Sequence, residues 1–312
     1  LEMILLGLKV VVPLFIAMAV GYLARRVNLI DEAGVSAVNR LVYWVFLPAI
    51  LFVSIYETDL TEVFNFRLVL YSVIGTTLLF VVSFLMVPLF EKKRERCGVI
   101  IQGLIRGNEV YFGFPVVISL IGERYLGLMA IIVAFAVPMY NAFSIIALES
   151  FKRAAAEKNG LLKSIITNPL IIVTAIGVTL VLAELEIPVV IMDGIVSLSK
   201  VATPLALFLL GASFSFTKTK GYLKEVVWVT FIRLIVLPAI VIGTTMLLGF
   251  EWYETVILYV TFGVPTAVAS FSLARQLGAD SVLASQIVVY TSSFAILSVF
   301  LWTLVMQLLE IL

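Results

Sequence analysis

Apolar stretches of about 20 residues alternate with short polar ones along almost the whole chain. A helix rises roughly 1.5 Å per residue, so such a stretch matches the apolar thickness of a bilayer. The pattern predicts helical spans near 4–24, 36–55, 68–90, 98–120, 127–150, 163–183, 188–213, 222–248, 253–275 and 281–309. The fourth and ninth carry helix-breaking residues near their centres. The predicted fold class is therefore an all-α polytopic membrane protein with ten transmembrane helices, two of them broken.

The second half of the chain repeats the first. Pro13, Gly21, Pro48, Gly107 and Gly122 recur 156 positions later as Pro169, Gly177, Pro204, Gly263 and Gly278. Pro13-Leu14-x-Ile16-x-x-Ala19-x-Gly21 returns as Pro169-Leu170-x-Ile172-x-x-Ala175-x-Gly177. A constant offset is the mark of duplication; ordinary proline kinks are the competing account. Five spans per copy is an odd number, so the second copy enters the membrane in the opposite sense. Residues 1–156 and 157–312 then form inverted repeats, the usual build of a secondary transporter.

Charge supplies a direction. Fifteen of the 21 Lys and Arg residues fall in the connections after odd-numbered spans, among them Arg25, Arg26, Lys92 to Arg96, Lys152 to Lys163 and Arg275. The positive-inside rule puts that side in the cytoplasm and both termini outside. Lys9, near the outer end of span one, is expected to snorkel. No cleavable signal is expected before the first apolar run.

Composition narrows the chemistry. With 62% hydrophobic and 13% charged residues, the chain is far from a soluble average. It has no histidine, so imidazole bases and His metal ligands are excluded. The lone Cys97 excludes an intramolecular disulfide. A net charge of +1 without a basic stripe gives no sign of nucleic acid. No metal or cofactor is expected, and no set of buried aspartates or serine with a base suggests an intramembrane hydrolase.

Span four contains Arg106-Gly107-Asn108-Glu109-Val110-Tyr111-Phe112-Gly113-Phe114-Pro115, and span nine the shorter Gly263-Val264-Pro265-Thr266. Glycine and proline make continuous helices unlikely there. Proline favours the first turn of a helix, so Pro115 and Pro265 are expected to open second half-helices. In opposed spans both new N-termini point at the membrane centre, each with unpaired N–H groups and about half a positive charge. Together they suit an anion, most simply a carboxylate. Candidate binding residues are Asn108, Gly113, Phe114, Pro115, Gly263, Pro265 and Thr266, with Tyr140 and Asn141 facing the crossing from span five.

Arg106, Glu109 and Arg233 lie well inside their spans. A charge at a helix centre costs roughly 2.5–3.5 kcal/mol on insertion scales and usually has a function. Arg106 and Glu109 are i, i+3 neighbours while the helix persists, which allows a structural ion pair. Substrate contact or proton coupling is the other reading. Arg233 in span eight either attracts an anion or holds a structural partner. Gly211-Ala212-Ser213 allows close helix packing.

The stretches Phe46 to Phe52, Arg106 to Pro115, Thr203 to Ser213, Arg233 to Pro238 and Pro265 to Asp280 resemble the auxin efflux carrier family of bacterial and plant transporters. The resemblance covers almost the whole chain. It implies a fold similar to sodium/proton antiporters and bile-acid sodium symporters, with helices four and nine crossing at the substrate. Spans 1, 2, 6 and 7 would be a scaffold, often dimeric, and spans 3–5 and 8–10 a moving transport domain. Plant members export indole-3-acetate, and bacterial members are associated with malate, malonate and related carboxylates. Asn108, Pro115 and Pro265 match the family's crossover positions. The plant carriers' long loop between spans five and six is reduced here to about Lys152 to Lys163, and Glu109 departs from the family pattern. These features lead to a carrier of organic anions, working by elevator-like alternating access in the cell membrane. H+ or Na+ coupling is open, and the rival readings are a sodium-coupled anion symporter and a membrane sensor without flux.

Overall fold

The computed structural model describes residues 2–56, 65–151, 167, 169–183, 185–213 and 221–312 of the chain. The short loop around Lys152 to Lys163, the start of span six and the side chain of Lys9 lie outside the described part.

Helix forms at every segment where the apolar pattern predicts it. α1 covers Glu2–Arg26, and α2 runs from Glu32–Leu41 through Val42–Phe46 into Leu47–Tyr56. α3 is Phe66–Phe90. α4a is Arg94–Ile105, and α4b is Glu109–Gly113 continued by Phe114–Ile121. α5 is Leu126–Ser150, α6 Pro169–Leu182 and α7 Val189–Ser213. α8 joins Leu223–Phe231, Ile232–Val236 and Leu237–Leu247. α9a is Trp252–Gly263, α9b Ala269–Gln276 and α10 Ser281–Leu308.

Among the described residues, six helices are long and apolar enough to cross a membrane: Glu32–Val53, Phe66–Phe90, Gly127–Ser150, Val189–Ser213, Leu223–Leu247 and Ser281–Leu308. Pieces such as α4a and α9a, at 12 residues each, reach only about 18 Å at 1.5 Å per residue. Each is too short to cross alone.

Three helices contain a π-turn, and the cause can be read from the sequence. Val42–Phe46, Glu109–Gly113 and Ile232–Val236 each begin six residues before a proline: Pro48, Pro115 and Pro238. Proline has no N–H and its ring clashes with the carbonyl four residues earlier. Widening the preceding turn relieves that clash without ending the helix. Proline is not sufficient, since Pro88, Pro138 and Pro204 sit in plain α-helix. The widened turns carry Tyr43, Glu109 and Arg233, all buried. π-turns often mark functional positions.

The closest helix packing falls into two sets, joined by further contacts such as that of α1 with α10. α1 lies against α7, and α2 against α6 and α7. α3, α4a and α5 pack together, α8 packs on α9a and α10, and α10 also meets α9b and α4a. Where α1 meets α7 the backbones nearly touch. A Cβ at Gly21 would strike the Phe208 carbonyl, and one at Gly211 the Met18 carbonyl. Small residues allow that approach in apolar surroundings. Gly177 of α6 lies against Ile55 and Phe52 of α2, so the α1–α7 contact has a counterpart in α6–α2.

Buried apolar residues form two clusters. One gathers Ile100, Ile101, Leu209, Val229, Phe271 and Ile287, and the other Phe112, Val117, Ile132, Val256 and Tyr259. The helix breaks lie between them. Beyond the first cluster, Arg96 of α4a pairs with Glu225 of α8, with Asp280 at 3.9 Å and the Tyr222 ring 4.3 Å below its guanidinium. Arg275, at the end of α9b, pairs with Glu32 and donates to Ser36 Oγ (2.9 Å) and Ser213 Oγ (3.3 Å). It thereby ties α9b to α2 and α7.

Candidate functional site

The two broken helices meet at their breaks. Between Ile105 and Glu109, and between Gly263 and Ala269, the chain leaves the helix, and Gly107 and Thr266 face each other in an antiparallel bridge. Asn108 N–H donates to the Pro265 carbonyl at 2.9 Å, and Ala267 N–H to the Arg106 carbonyl at 3.1 Å. The Thr266 hydroxyl donates to the Gly103 carbonyl (2.8 Å), and its N–H to Thr291 Oγ1 (3.1 Å). Unpaired backbone groups in an apolar interior cost several kcal/mol each. This miniature ladder satisfies part of what the breaks release.

Four helix ends surround the ladder, two of each sign. Arg233 serves the C-terminal ends. Its Nε donates to the Val264 carbonyl at 2.8 Å and its Nη1 to the Leu104 carbonyl. A helix C-terminus carries about half a negative charge, so one guanidinium balances the ends of α4a and α9a together. A Cβ at Gly107 would collide with both Glu109 Oε1 and Arg233 Nη2. Only glycine leaves room for these two charged groups to approach each other there.

Of the two readings of Arg106 and Glu109, a structural ion pair between them is not among the ion pairs of the described residues. Arg106 is extended (φ −97°, ψ 104°), so the helical i, i+3 geometry ends before it can bring the two together. The Glu109 carboxyl lies instead beside Arg233 Nη2 at Gly107, with Tyr140 lining the same cavity. Arg106 makes no side-chain hydrogen bond or ion pair among the described residues, and its Nη1 is buried without a partner. The Asn108 Nδ2 is in the same condition.

Beside the crossing lies a cavity of about 90 Å³. Arg106, Asn108, Glu109, Val110 and Tyr140 line one side, Ala267 to Ala269 another, and Leu47, Leu51, Thr203 and Ala206 of α2 and α7 the third. Val110 and Ala269 stand at the first turns of α4b and α9b. Both positive helix ends therefore border one space.

Pro115 stands in the first turn of the α-helix Phe114–Ile121, as expected, but a π-turn precedes it, and Pro265 opens no helix. α4b opens at Glu109, and Pro115 lies six residues inside it, where it widens the turn behind it. Pro265 lies within the ladder, four residues before α9b begins, and offers its carbonyl to Asn108. Gly113 packs on Met129 and Val260, each 3.2 Å from where its Cβ would be, and Gly263 on Pro238 and Tyr259. Phe114 packs against the second apolar cluster. Asn141 is buried with neither amide atom bonded and does not line the cavity. Sequence reasoning misses Tyr43, which lies close enough to influence Arg106. Its spacing to Pro48 equals that of Arg233 to Pro238, and that equality is the signal that could have found it.

The chain matches the membrane transport protein family over residues 6–303. It belongs to that family, the auxin efflux carriers. Family membership and the apolar helices make it a multi-pass membrane protein. Among its relatives is an uncharacterised transporter of Methanocaldococcus jannaschii, 24% identical over 96% of this chain and 98% of that one. A Rhizobium meliloti protein named "Putative malonate transporter" is 25% identical over 93% of this chain and 92% of its own. An uncharacterised transporter of Escherichia coli K12 is 27% identical over 79% and 81%.

Proposed function

We propose that the protein is a secondary transporter of small organic anions, carboxylates above all, held where helices four and nine cross. The observation that carries this reading is the cavity bordered by the first turns of α4b and α9b. Each contributes free N–H groups and about half a positive charge. Opposed half-helices at mid-membrane are the recurring way in which transporters hold anionic groups. The name of the Rhizobium relative agrees with a carboxylate.

The carrier works by alternating access. α1, α2, α6 and α7 are the scaffold, and α3–α5 with α8–α10 the moving domain. The two packing groups support that division, and so does the position of the cavity between them. Ten spans in two inverted repeats, 1–156 and 157–312, underlie it. In support, Gly21 lies against Phe208 while Gly177 lies against Phe52 and Ile55; Gly21 and Gly177, and Phe52 and Phe208, are related by the same 156-residue offset. Both termini face outward, by the charge of the connections. A homodimer through the scaffold follows from the family resemblance. Export of an anion is favoured by about 2.3 kcal/mol per charge at 100 mV, so it needs no coupling ion.

Purified protein in liposomes tests the reading. Labelled malonate is expected to exchange against internal malonate, and the acid to raise the thermal midpoint, because a ligand stabilises the state it binds. No exchange of any carboxylate, with stabilisation only by cations, would remove it.

A further inference from the structure

We propose that Arg106 is a specificity-determining residue, which makes the site select an anion with two carboxylates over one with a single carboxylate. The inference rests on the anion-carrier reading above and concerns the same site. Arg106 is only 6% exposed, lines the cavity and has no side-chain hydrogen bond or ion pair among the described residues. Its Nη1 is without a partner. A buried guanidinium with an unpartnered donor is costly, and a buried charge is normally paired or hydrogen-bonded. The other two charges in the crossing have each other or the backbone nearby, although Glu109 Oε1 and Arg233 Nη2 also make no hydrogen bond. Arg233 spends two donors on the Leu104 and Val264 carbonyls, and Glu109 Oε1 shares the space at Gly107 with Arg233 Nη2.

The cavity therefore offers two anion-binding points of different kind. The first turns at Val110 and Ala269 present backbone N–H groups, which suit one carboxylate. The Arg106 guanidinium, with Asn108 Nδ2 beside it in the lining, suits a second. Planar carboxylates match the guanidinium fork in geometry, an advantage lysine lacks. At on the order of 10–15 Å³ of such space per water, the 90 Å³ cavity admits about six to nine water-sized groups. A three- or four-carbon diacid is of that size.

Malonate and propionate, equal in chain length and different by one carboxylate, separate the possibilities. In the unaltered protein, malonate is expected to stabilise and to exchange at concentrations at least tenfold lower than propionate. Arg106→Gln should remove that preference by weakening malonate tenfold or more while changing propionate less than threefold. Arg106→Lys keeps the charge without the fork and should fall between; it serves if the Gln variant does not fold. The double variant Arg106→Gln/Glu109→Gln should also lack the preference. If the double variant regains it, Arg106 merely neutralises Glu109 and the proposal is wrong. Equal response to both acids in the unaltered protein overturns this proposal and leaves the carrier reading standing. No response to either acid overturns both.

Discussion

Arg233 Nε lies 2.8 Å from the carbonyl oxygen of Val264, one residue beyond the end of α9a, while the same guanidinium reaches Leu104 near the end of α4a. One side chain thus closes two helices that stop inside the molecule. The crossing is held by a charge from a third helix as well as by its own backbone ladder.

That arrangement predicts a large cost for removing Arg233. Each hydrogen bond to a charged group is worth about 1.5–3 kcal/mol, and truncation also leaves two buried carbonyls unpaired. Arg233→Met is expected to lose about 3 kcal/mol or more in denaturant unfolding in detergent. Arg233→Lys should recover only part, because one ammonium cannot reproduce the guanidinium fork. Unfolding midpoints unchanged in both variants would contradict the dual-capping role.

Glycines in equivalent helical settings should respond with opposite signs. A Cβ at Gly211 meets the Met18 backbone, which cannot yield without separating α1 from α7, whereas one at Gly243 meets nothing within 4 Å. Overpacking costs about 1–3 kcal/mol, and alanine gains about 0.8–1 kcal/mol over glycine in an unhindered helix. Gly211→Ala is expected to lower the thermal midpoint and Gly243→Ala to hold or raise it. Two equal shifts would show that the α1–α7 approach is looser than described.

Burial should separate two ion pairs of similar geometry. The side chains of Arg96 and Glu225 are 10% and 8% exposed, whereas Glu32, opposite Arg275, is 66% exposed. Removing one partner of a buried pair costs about 3–5 kcal/mol, and an exposed pair contributes about 0–1 kcal/mol. Glu225→Ala should therefore destabilise severely and Glu32→Ala hardly at all, as read by unfolding in detergent. Nearby Asp280 should soften the first effect.

Arg275 should matter to movement more than to stability. It joins α9b to Glu32, Ser36 and Ser213, and Asn39 Nδ2 donates to the Ser272 carbonyl at 3.3 Å beside it. If the two packing groups slide past each other, as proposed, these contacts must break in each cycle. Arg275→Ala is expected to change malonate exchange in liposomes at least threefold while the thermal midpoint moves little. Unaltered exchange would mean that these contacts do not limit the motion.

Much of the fold is legible in the sequence because apolar length and periodicity act locally. Helix appears in every predicted segment, and the breaks at 106–108 and 264–268 fall where predicted. The details of the breaks are not legible. By sequence Pro115 is a helix opener, but Asn108 already ends the extended stretch, and the proline's strain is absorbed by a π-turn. The pairing of Arg106 with Glu109 follows only from spacing along one helix. It fails because the backbone is extended at Arg106 and Glu109 lies beside an arginine 124 positions away in sequence.

The sequence by itself determined that this chain is helical, membrane-embedded and interrupted in two helices. Each of these follows from side-chain polarity and backbone freedom within a few residues. Only the tertiary structure decided that the two interruptions pair through Gly107 and Thr266, that Arg233 closes two helix ends, and that Arg106 Nη1 is left without a hydrogen bond. Those outcomes depend on which distant groups arrive first at each unsatisfied donor or acceptor, and spacing along one chain carries no record of that.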